Sequence, residues 1–272
     1  MRRFAPNALI GGVLIGLLFG VAALQTFWMP HDPLKLNFAA RLQAPSAEFL
    51  LGTDEFGRDI VSRLMMGAST SVSIALMTVG LAVLLGTTIG LVSGYNRGLV
   101  DRIIMTFNDA LLAFPGMLLA LGLLSVFGAN QYGIIVALGL AYTPSVARVI
   151  RGAVMSLRER EFIRASRTMS NSEIYTMMRH VLPNCLAPLI VLATSMFGWT
   201  LLSESALSFL GLGVPPPAPT WGNMLAAGRP FIEQASWLAI FPGLCISLTL
   251  LGINLLGDAL RDRLDPQMRG AV

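Results

Sequence analysis

Long apolar runs free of charge dominate this chain. No Asp, Glu, Lys or Arg interrupts residues 4–30, 64–96, 110–147, 180–203, 205–228 or 234–257. A helix needs about 20 apolar residues, each rising 1.5 Å, to cross the hydrocarbon core of a bilayer. The pattern therefore predicts six spans, near 8–28, 72–95, 103–127, 132–150, 186–210 and 236–258. The run 110–147 holds most of two of them, with Gly128-Ala129-Asn130-Gln131-Tyr132-Gly133 as the turn. The expected fold class is an all-α membrane protein with six transmembrane helices.

Composition agrees with the pattern. Of 272 residues, 54% are hydrophobic and 12% charged, about half the charge of an ordinary soluble domain. A soluble α-domain with a greasy core would break its apolar runs with charges, and this chain does the opposite. The net charge of +4 is explained by its distribution rather than by nucleic acid. With the N-terminus inside, Arg2, Arg3, the arginines between Arg97 and Arg179, and Arg261, Arg263 and Arg269 all face inward. Only Lys35, Arg41, Arg58, Arg63 and Arg229 are left outside. This is the positive-inside bias, and it predicts both termini on the cytoplasmic side of the membrane. The first apolar run exceeds a signal-peptide core in length, so it is expected to be retained. Cys185, Cys245, His31 and His180 lack metal-ligand spacing, and no metal site is expected.

The spans divide the chain into a tail and first helix (1–28), an external segment (29–71), a five-helix core (72–260) and a cytoplasmic tail (261–272). In the external segment, Asp59 is placed to cap a helix running into span two, with Ile60, Leu64 and Met65 on one side and Ser62 and Arg63 turned away. Such an amphipathic helix either braces the bundle or offers a surface to an external partner. The core carries a cytoplasmic loop, 151–183, and an external loop, 211–235. The latter contains Pro215-Pro216-Pro217-Ala218-Pro219, which forbids a helix and favours extended polyproline geometry. Trp221 follows, a residue type that anchors at membrane interfaces.

Chemistry is mostly excluded. A phosphate-binding loop needs G-x-x-x-x-G-K-[ST], and the only lysine is Lys35, on the external side. No nucleophile–base pair, H-E-x-x-H or paired-carboxylate site is present, so enzymatic function is not expected. Carboxylates inside spans mark pathways or relays by default, which singles out Asp109 and Glu204; Asp258 falls at a solvated helix end beside Arg261 and Arg263. The cytoplasmic loop has the most ordered layout. Residues 158–169 read as a charged helix, Ser170-Asn171-Ser172-Glu173 breaks it, and Ile174 to Val181 forms a second helix before Leu182-Pro183. Asn171 tolerates left-handed geometry and Ser170 with Glu173 has capping-box spacing. Orientation by charge explains the arginines but not this helix–break–helix order.

At this loop the chain resembles the inner-membrane permeases of binding-protein-dependent ABC importers. Their signature E-A-A-x3-G-x9-I-x-L-P falls on Arg164-Ala165-Ser166, Ser170, His180 and Leu182-Pro183, with four substitutions. Leu51 to Asp59, Glu204 to Gly213, the proline run, Trp221-Gly222-Asn223-Met224 and Asn254 to Pro266 are similar to the second ("C") permease of the dipeptide/oligopeptide/nickel subfamily. The resemblance implies a type I importer permease fold with an external insertion after the first helix. It implies a second homologous permease, two ATPase subunits that carry ATP and Mg, and an external substrate-binding protein, with no cofactor in this chain. Glu161, Arg164, Ala165, Ser166, Arg167, Ser170, Asn171 and Glu173 would dock on an ATPase. Asp54, Arg58, Arg63 and Trp221 would lie beneath the binding protein. Glycine normally makes the turn between the loop helices; with Ser170 there, Asn171 is expected to take the left-handed position. Di- or oligopeptides are the expected substrate class, with nickel, metallophores or glutathione as siblings. A proton-coupled carrier using Asp109 and Glu204 is the alternative from another class.

Overall fold

A computed structural model describes residues 6–264. Arg2, Arg3, Arg269 and the tail from 265 onward, which carried part of the charge argument, lie outside the described residues. Among those described, all regular structure is helical. The helices are α1 (Pro6–Leu24), α2 (Ile60–Asn96), α3 (Gly98–Leu112), α4 (Gly116–Phe127), α5 (Gln131–Arg158), α6 (Glu161–Thr168), α7 (Glu173–Thr176), α8 (Leu182–Phe209), α9 (Trp221–Gly228) and α10 (Trp237–Leu264). Five helical segments are long and apolar enough to cross a membrane, and α3 with α4 makes a sixth if the bent pair is one span.

The third expected span, 103–127, is not one helix. α3 and α4 meet at 93° across Ala113, Phe114 and Pro115. Proline has no N–H for the helix ladder and pushes the preceding residue out of helical geometry, so the chain bends where the apolar pattern runs on unbroken. Pro144, Pro188 and Pro242 are instead accommodated inside α5, α8 and α10. Asn108 on α3 donates from Nδ2 to the Pro144 carbonyl at 3.2 Å, a buried polar tie between α3 and α5.

α2 has 37 residues and at 1.5 Å per residue is about 55 Å long, far more than the bilayer core. It therefore reaches from the external segment to the cytoplasmic loop. The amphipathic helix expected upstream of span two is the first turns of α2 itself. Asp59 caps it as expected, accepting from the Ser62 N–H at 2.8 Å. Ser62 and Arg63, expected to face away, are buried as well, because the external insertion folds over that side. α2 packs along α5 through Gly86, Gly90 and Gly94, spaced one helical turn apart. A Cβ on Gly90 would lie 2.6 Å from the Ala147 carbonyl oxygen and 2.8 Å from Ile150 Cβ. Small residues at this spacing let two backbones approach within a membrane, where apolar burial supplies no drive. α1 uses the same device on α10, with a Cβ on Gly11 falling 2.8 Å from the Gly252 oxygen.

Candidate coupling surface and external face

A knob, expected on the cytoplasmic side, is built between the ends of α5 and α8. After Arg158 the chain turns at Glu159 and Arg160 and enters α6, with Glu161 in its first turn and Arg167 in its last, both favourable to the helix dipole. The helix closes in a Schellman arrangement: Ser170 N–H donates to the Arg167 carbonyl at 2.9 Å and Asn171 N–H to the Ser166 carbonyl at 3.3 Å. The left-handed residue is Ser170 itself, at φ 59°. The expectation that Asn171 takes this place is corrected, because the closing bonds place residue 170, not 171, at the position after the cap. Asn171 instead turns its side chain back, donating to Ser166 Oγ at 3.2 Å. The capping-box reading of Ser170 and Glu173 also fails: Ser172 caps α7, accepting from Tyr175 N–H at 3.2 Å. The separate second helix expected over 174–181 is continuous with the next span. α7 passes through one wider π turn, Met177–Val181, directly into α8, so Pro183, which follows that turn, is carried inside a continuous helical run.

Two arginines of the loop hold it to α2 rather than point outward. Tyr95, buried at the end of α2, has the Arg158 and Arg167 guanidinium groups over its ring at 5.7 and 5.0 Å. Arg158 also donates to the Tyr95 carbonyl, and Arg167 Nε donates to its hydroxyl at 3.4 Å. Glu159 pairs with Arg97 at 2.6 Å and with Arg164 at 3.3 Å; the Arg97 hydrogen bond first, then that of Arg164, holds its carboxyl below the usual range. Inside the knob, Ile163 is fully enclosed and Ser166 Oγ meets Thr176 Oγ1 at 2.9 Å. Of the docking residues expected, Glu161, Arg164, Ala165, Ser170, Asn171 and Glu173 are exposed. Ser166 and Arg167 are turned to the knob's own construction. Beside the exposed set lie Phe162, Met169, Ile174, Tyr175 and Met178, all large, apolar and exposed. The sequence reading passed over them; apolar residues inside a charged loop were the available signal.

The two pathway candidates are placed differently. Asp109 on α3 pairs with Arg148 of α5 at 2.6 Å, with both side chains more than half exposed. Glu204 is 1% exposed. Its Oε1 accepts from Ser208 Oγ and Thr220 Oγ1, both at 2.8 Å, while Oε2 has no protein partner. Thr220 is the N-cap of α9, so Glu204 joins α8 to the helix that follows the proline loop. That loop turns at Pro216 and Pro217 rather than running extended as expected, and Asn223 Nδ2 holds it from within through the Val214 and Ala218 carbonyls at 3.3 and 3.0 Å.

At the opposite end of the bundle, Asp54, Arg58, Arg63 and Trp221, expected on the external side, are each less than a tenth exposed. Asp54 organises the insertion. Its Oδ1 accepts the Phe56 and Arg58 N–H groups at 2.9 Å, and its Oδ2 takes Arg58 Nε at 2.6 Å and Arg63 Nε at 3.3 Å. Trp221 Nε1 donates to the Leu64 carbonyl at 3.0 Å, which makes it a buried lock between α9 and α2 rather than an interface anchor.

Residues 86–270 match the family described as the inner membrane component of binding-protein-dependent transport systems. The chain is 42% identical, over its full length and 92% of the relative, to the di/tripeptide transport system permease protein DppC of Pseudomonas aeruginosa. It is 40% identical to the dipeptide transport system permease protein DppC of Alkalihalophilus pseudofirmus, across 96% of this chain and 86% of that one. The glutathione transport system permease protein GsiD of Pectobacterium atrosepticum is 38% identical, across 98% and 90% of the two chains. In fold, a chain of the inward-facing MetNI methionine ABC transporter superposes with a TM-score of 0.62 at 16% identity, covering 75% of this chain and 96% of that one. With the apolar helices and the α6–α7 knob in place, these matches establish that the chain belongs to the inner membrane components of binding-protein-dependent transport systems.

Proposed function

We propose that this chain is one of two permeases in an ATP-driven importer of di- or oligopeptides, and that its α6–α7 knob is the point at which an ATPase subunit drives it. The observation that carries the reading is the knob itself: a short helix locked to the end of α2 through Tyr95, presenting Arg164, Phe162, Met169 and Ile174 outward. A surface with exposed aromatic and aliphatic anchors among arginines has the character of an interface. Closure of two ATPase subunits on ATP and Mg would shift the knob as a unit and tilt α5 and α8, which run directly into it. The result is a population shift between two packings of the spans.

The peptide class is supported by the relatives named for dipeptide and di/tripeptide transport. Glutathione, itself a short peptide, is the sibling reading, supported by the relative named for it. Nickel or metallophore uptake would use the same architecture. In this reading the chain lies in a bacterial inner membrane with both termini cytoplasmic, and the external binding protein makes most of the substrate choice. Asp109 and Glu204 would act in a proton-coupled carrier only if this chain transported alone.

Ala165→Glu places a charge on an exposed helix position without entering the core. It is expected to leave the complex assembled and ATP hydrolysis running while peptide uptake in proteoliposomes is lost. Arg164→Glu should do the same. Normal uptake by the Ala165→Glu variant would remove the docking assignment, and uptake by the purified chain alone on a proton gradient would remove the ATPase-driven reading.

A further inference from the structure

An open groove of about 390 Å³ lies between α1, α2 and α10. At one end it is lined by Trp28 and by Leu51 of the insertion, and at the other by Leu14 and Thr249. The packing of α1 explains why it is there. α1 and α10 approach closely at Gly11 and Gly252, where an added Cβ would fall 2.8 Å from the Gly252 oxygen or 2.9 Å from Leu14 Cβ. Beyond that contact α1 carries Leu17, Val21 and Leu24, large side chains that line the groove and stay open, Leu17 at 61%. Of the five long apolar helical segments, α1 is the one the rest of the chain covers least.

Depth identifies the surroundings. From Leu14 to Leu24 is ten residues, about 15 Å of helix and half of the about 30 Å hydrocarbon core of a bilayer. Leu14 stands near the middle of α1 (Pro6–Leu24), and Trp28, a residue type that settles at the headgroup level, stands just past its end. α10 agrees, because Thr249 lies twelve residues into it, about 18 Å from its start. The groove therefore has the depth of one leaflet, from the headgroups to the midplane.

Its lining decides what fits. No charged side chain lines it, and the Trp221 indole N–H is already spent on the Leu64 carbonyl. A buried water needs about two to four polar partners, and a peptide entering here would leave its backbone N–H and C=O groups unsatisfied. A second helix is too large: 10–12 Å across, it would need about 1,200 Å³ over the same 15 Å. A void would forfeit dispersion contacts along the whole lining. A flexible hydrocarbon chain satisfies all four conditions.

We propose that one acyl chain of a phospholipid, from the leaflet on the side of the insertion, occupies this groove as a wedge that holds α1 against α2 and α10. Its headgroup lies at the level of Trp28 and its methyl end against Leu14. The site goes beyond the importer reading and stands whether or not the substrate and drive assigned above are correct.

The test uses the assembled transporter, drawn from its own membrane by an affinity tag on this chain. A photoreactive benzoylphenylalanine in place of Leu17 is expected to give this chain carrying one phospholipid mass. A product with the second permease, or with any other protein, overturns the proposal. Val21→Trp fills the groove with an indole. Native mass spectrometry should find a retained phospholipid on the wild type and on Leu84→Trp, whose site on α2 is 65% exposed and outside the groove, and at least tenfold less on Val21→Trp. Equal retention in all three would mean ordinary boundary lipid and would sink the proposal. Dioleoyl phosphatidylethanolamine added back to the delipidated wild type should raise its unfolding temperature by several degrees and leave Val21→Trp unmoved. Each protein is there compared with itself, so a variant that is merely less stable does not imitate loss of the site; an equal rise in both counts against the groove.

Discussion

Replacing Ile163 by alanine tests whether burial or charge holds the α6–α7 knob. Ile163 is fully enclosed and belongs to the same apolar core as Tyr95, Val154 and Val181. Truncating a buried isoleucine to alanine costs about 2–5 kcal/mol when the surroundings cannot collapse into the space. α6 has eight residues, fewer than the about 12–15 needed for a helix to persist alone in water, so its order depends on docking. The polar ties that remain inside the knob, Ser166 to Thr176 and Arg167 to Tyr95, are each worth on the order of 1 kcal/mol or less, and the Glu159–Arg97 pair is exposed to solvent screening. A loss of about 3 kcal/mol raises the open fraction of the knob about 150-fold. Hydrogen exchange on the assembled, nucleotide-free transporter should show residues 161–176 exchanging about two orders of magnitude faster, with peptide uptake falling while ATP hydrolysis continues. Ile163→Val, costing about 0.5–1.5 kcal/mol, should fall between. Phe162→Ala, on the exposed side, should reduce uptake without changing exchange. Wild-type exchange and uptake in Ile163→Ala would refute the claim that this burial holds the knob in place.

Ser170→Gly removes a left-handed L-residue at φ 59° but frees the unfolded chain, and the two effects, each about 0.4–2 kcal/mol, should nearly cancel. Ser170→Val, β-branched at positive φ, should cost about 1–3 kcal/mol and speed exchange at residues 166–176. Gly90→Leu would force α2 from α5, since even a Cβ there meets the Ala147 oxygen at 2.6 Å, whereas a Cβ on Gly80 would meet no other part of the protein within 4 Å. Size-exclusion of detergent extracts should show loss of folded protein for Gly90→Leu and not for Gly80→Leu. Glu204→Ala strands the Ser208 and Thr220 hydroxyls at about 1–3 kcal/mol each, while Glu204→Gln retains an acceptor; proteolysis of the 211–235 loop should accelerate in the first variant only. Burial raises the Glu55 carboxyl above its unfolded value, so the folded state keeps a proton that the unfolded state has lost. Stability should therefore fall as pH rises from the ordinary carboxylate range through the raised value. Thermal unfolding should lose that slope in Glu55→Gln, and an unchanged slope would count against the burial of this group.

Some elements were legible because their causes are local. Asp59 reads as a cap from its place before an apolar run, and its carboxylate accepts the Ser62 N–H as the pattern requires. The break after Met169 was also readable from Ser170-Asn171-Ser172, although the residue taking the left-handed turn was misassigned by one. The bend at Pro115 lay in plain view but within an uninterrupted apolar run, where hydropathy outweighed a single proline. Pro144, Pro188 and Pro242 show why such a residue is ambiguous: each is carried inside a helix here. Arg63 and Trp221 were misplaced for a different reason. Their partners, Asp54 with Pro33 and Leu64, lie on segments that the fold brings together, and no periodicity records such a meeting.

The sequence by itself determined that this chain has apolar runs for about six membrane spans, that it carries no recognisable phosphate-binding loop, and which family it resembles. These follow from the hydrophobic effect, the cost of charge in hydrocarbon and the demands of phosphate binding, all of which act residue by residue or within one short motif. Only the tertiary structure decided which arginines of the loop face outward and which are spent on Tyr95, and that Glu204 is enclosed against α9. Those depend on contacts between residues as far as 184 positions apart, as in Trp237 donating to the Thr53 carbonyl. A buried polar group is positioned by whichever partner the packing delivers, and that partner is set by three dimensions rather than by one.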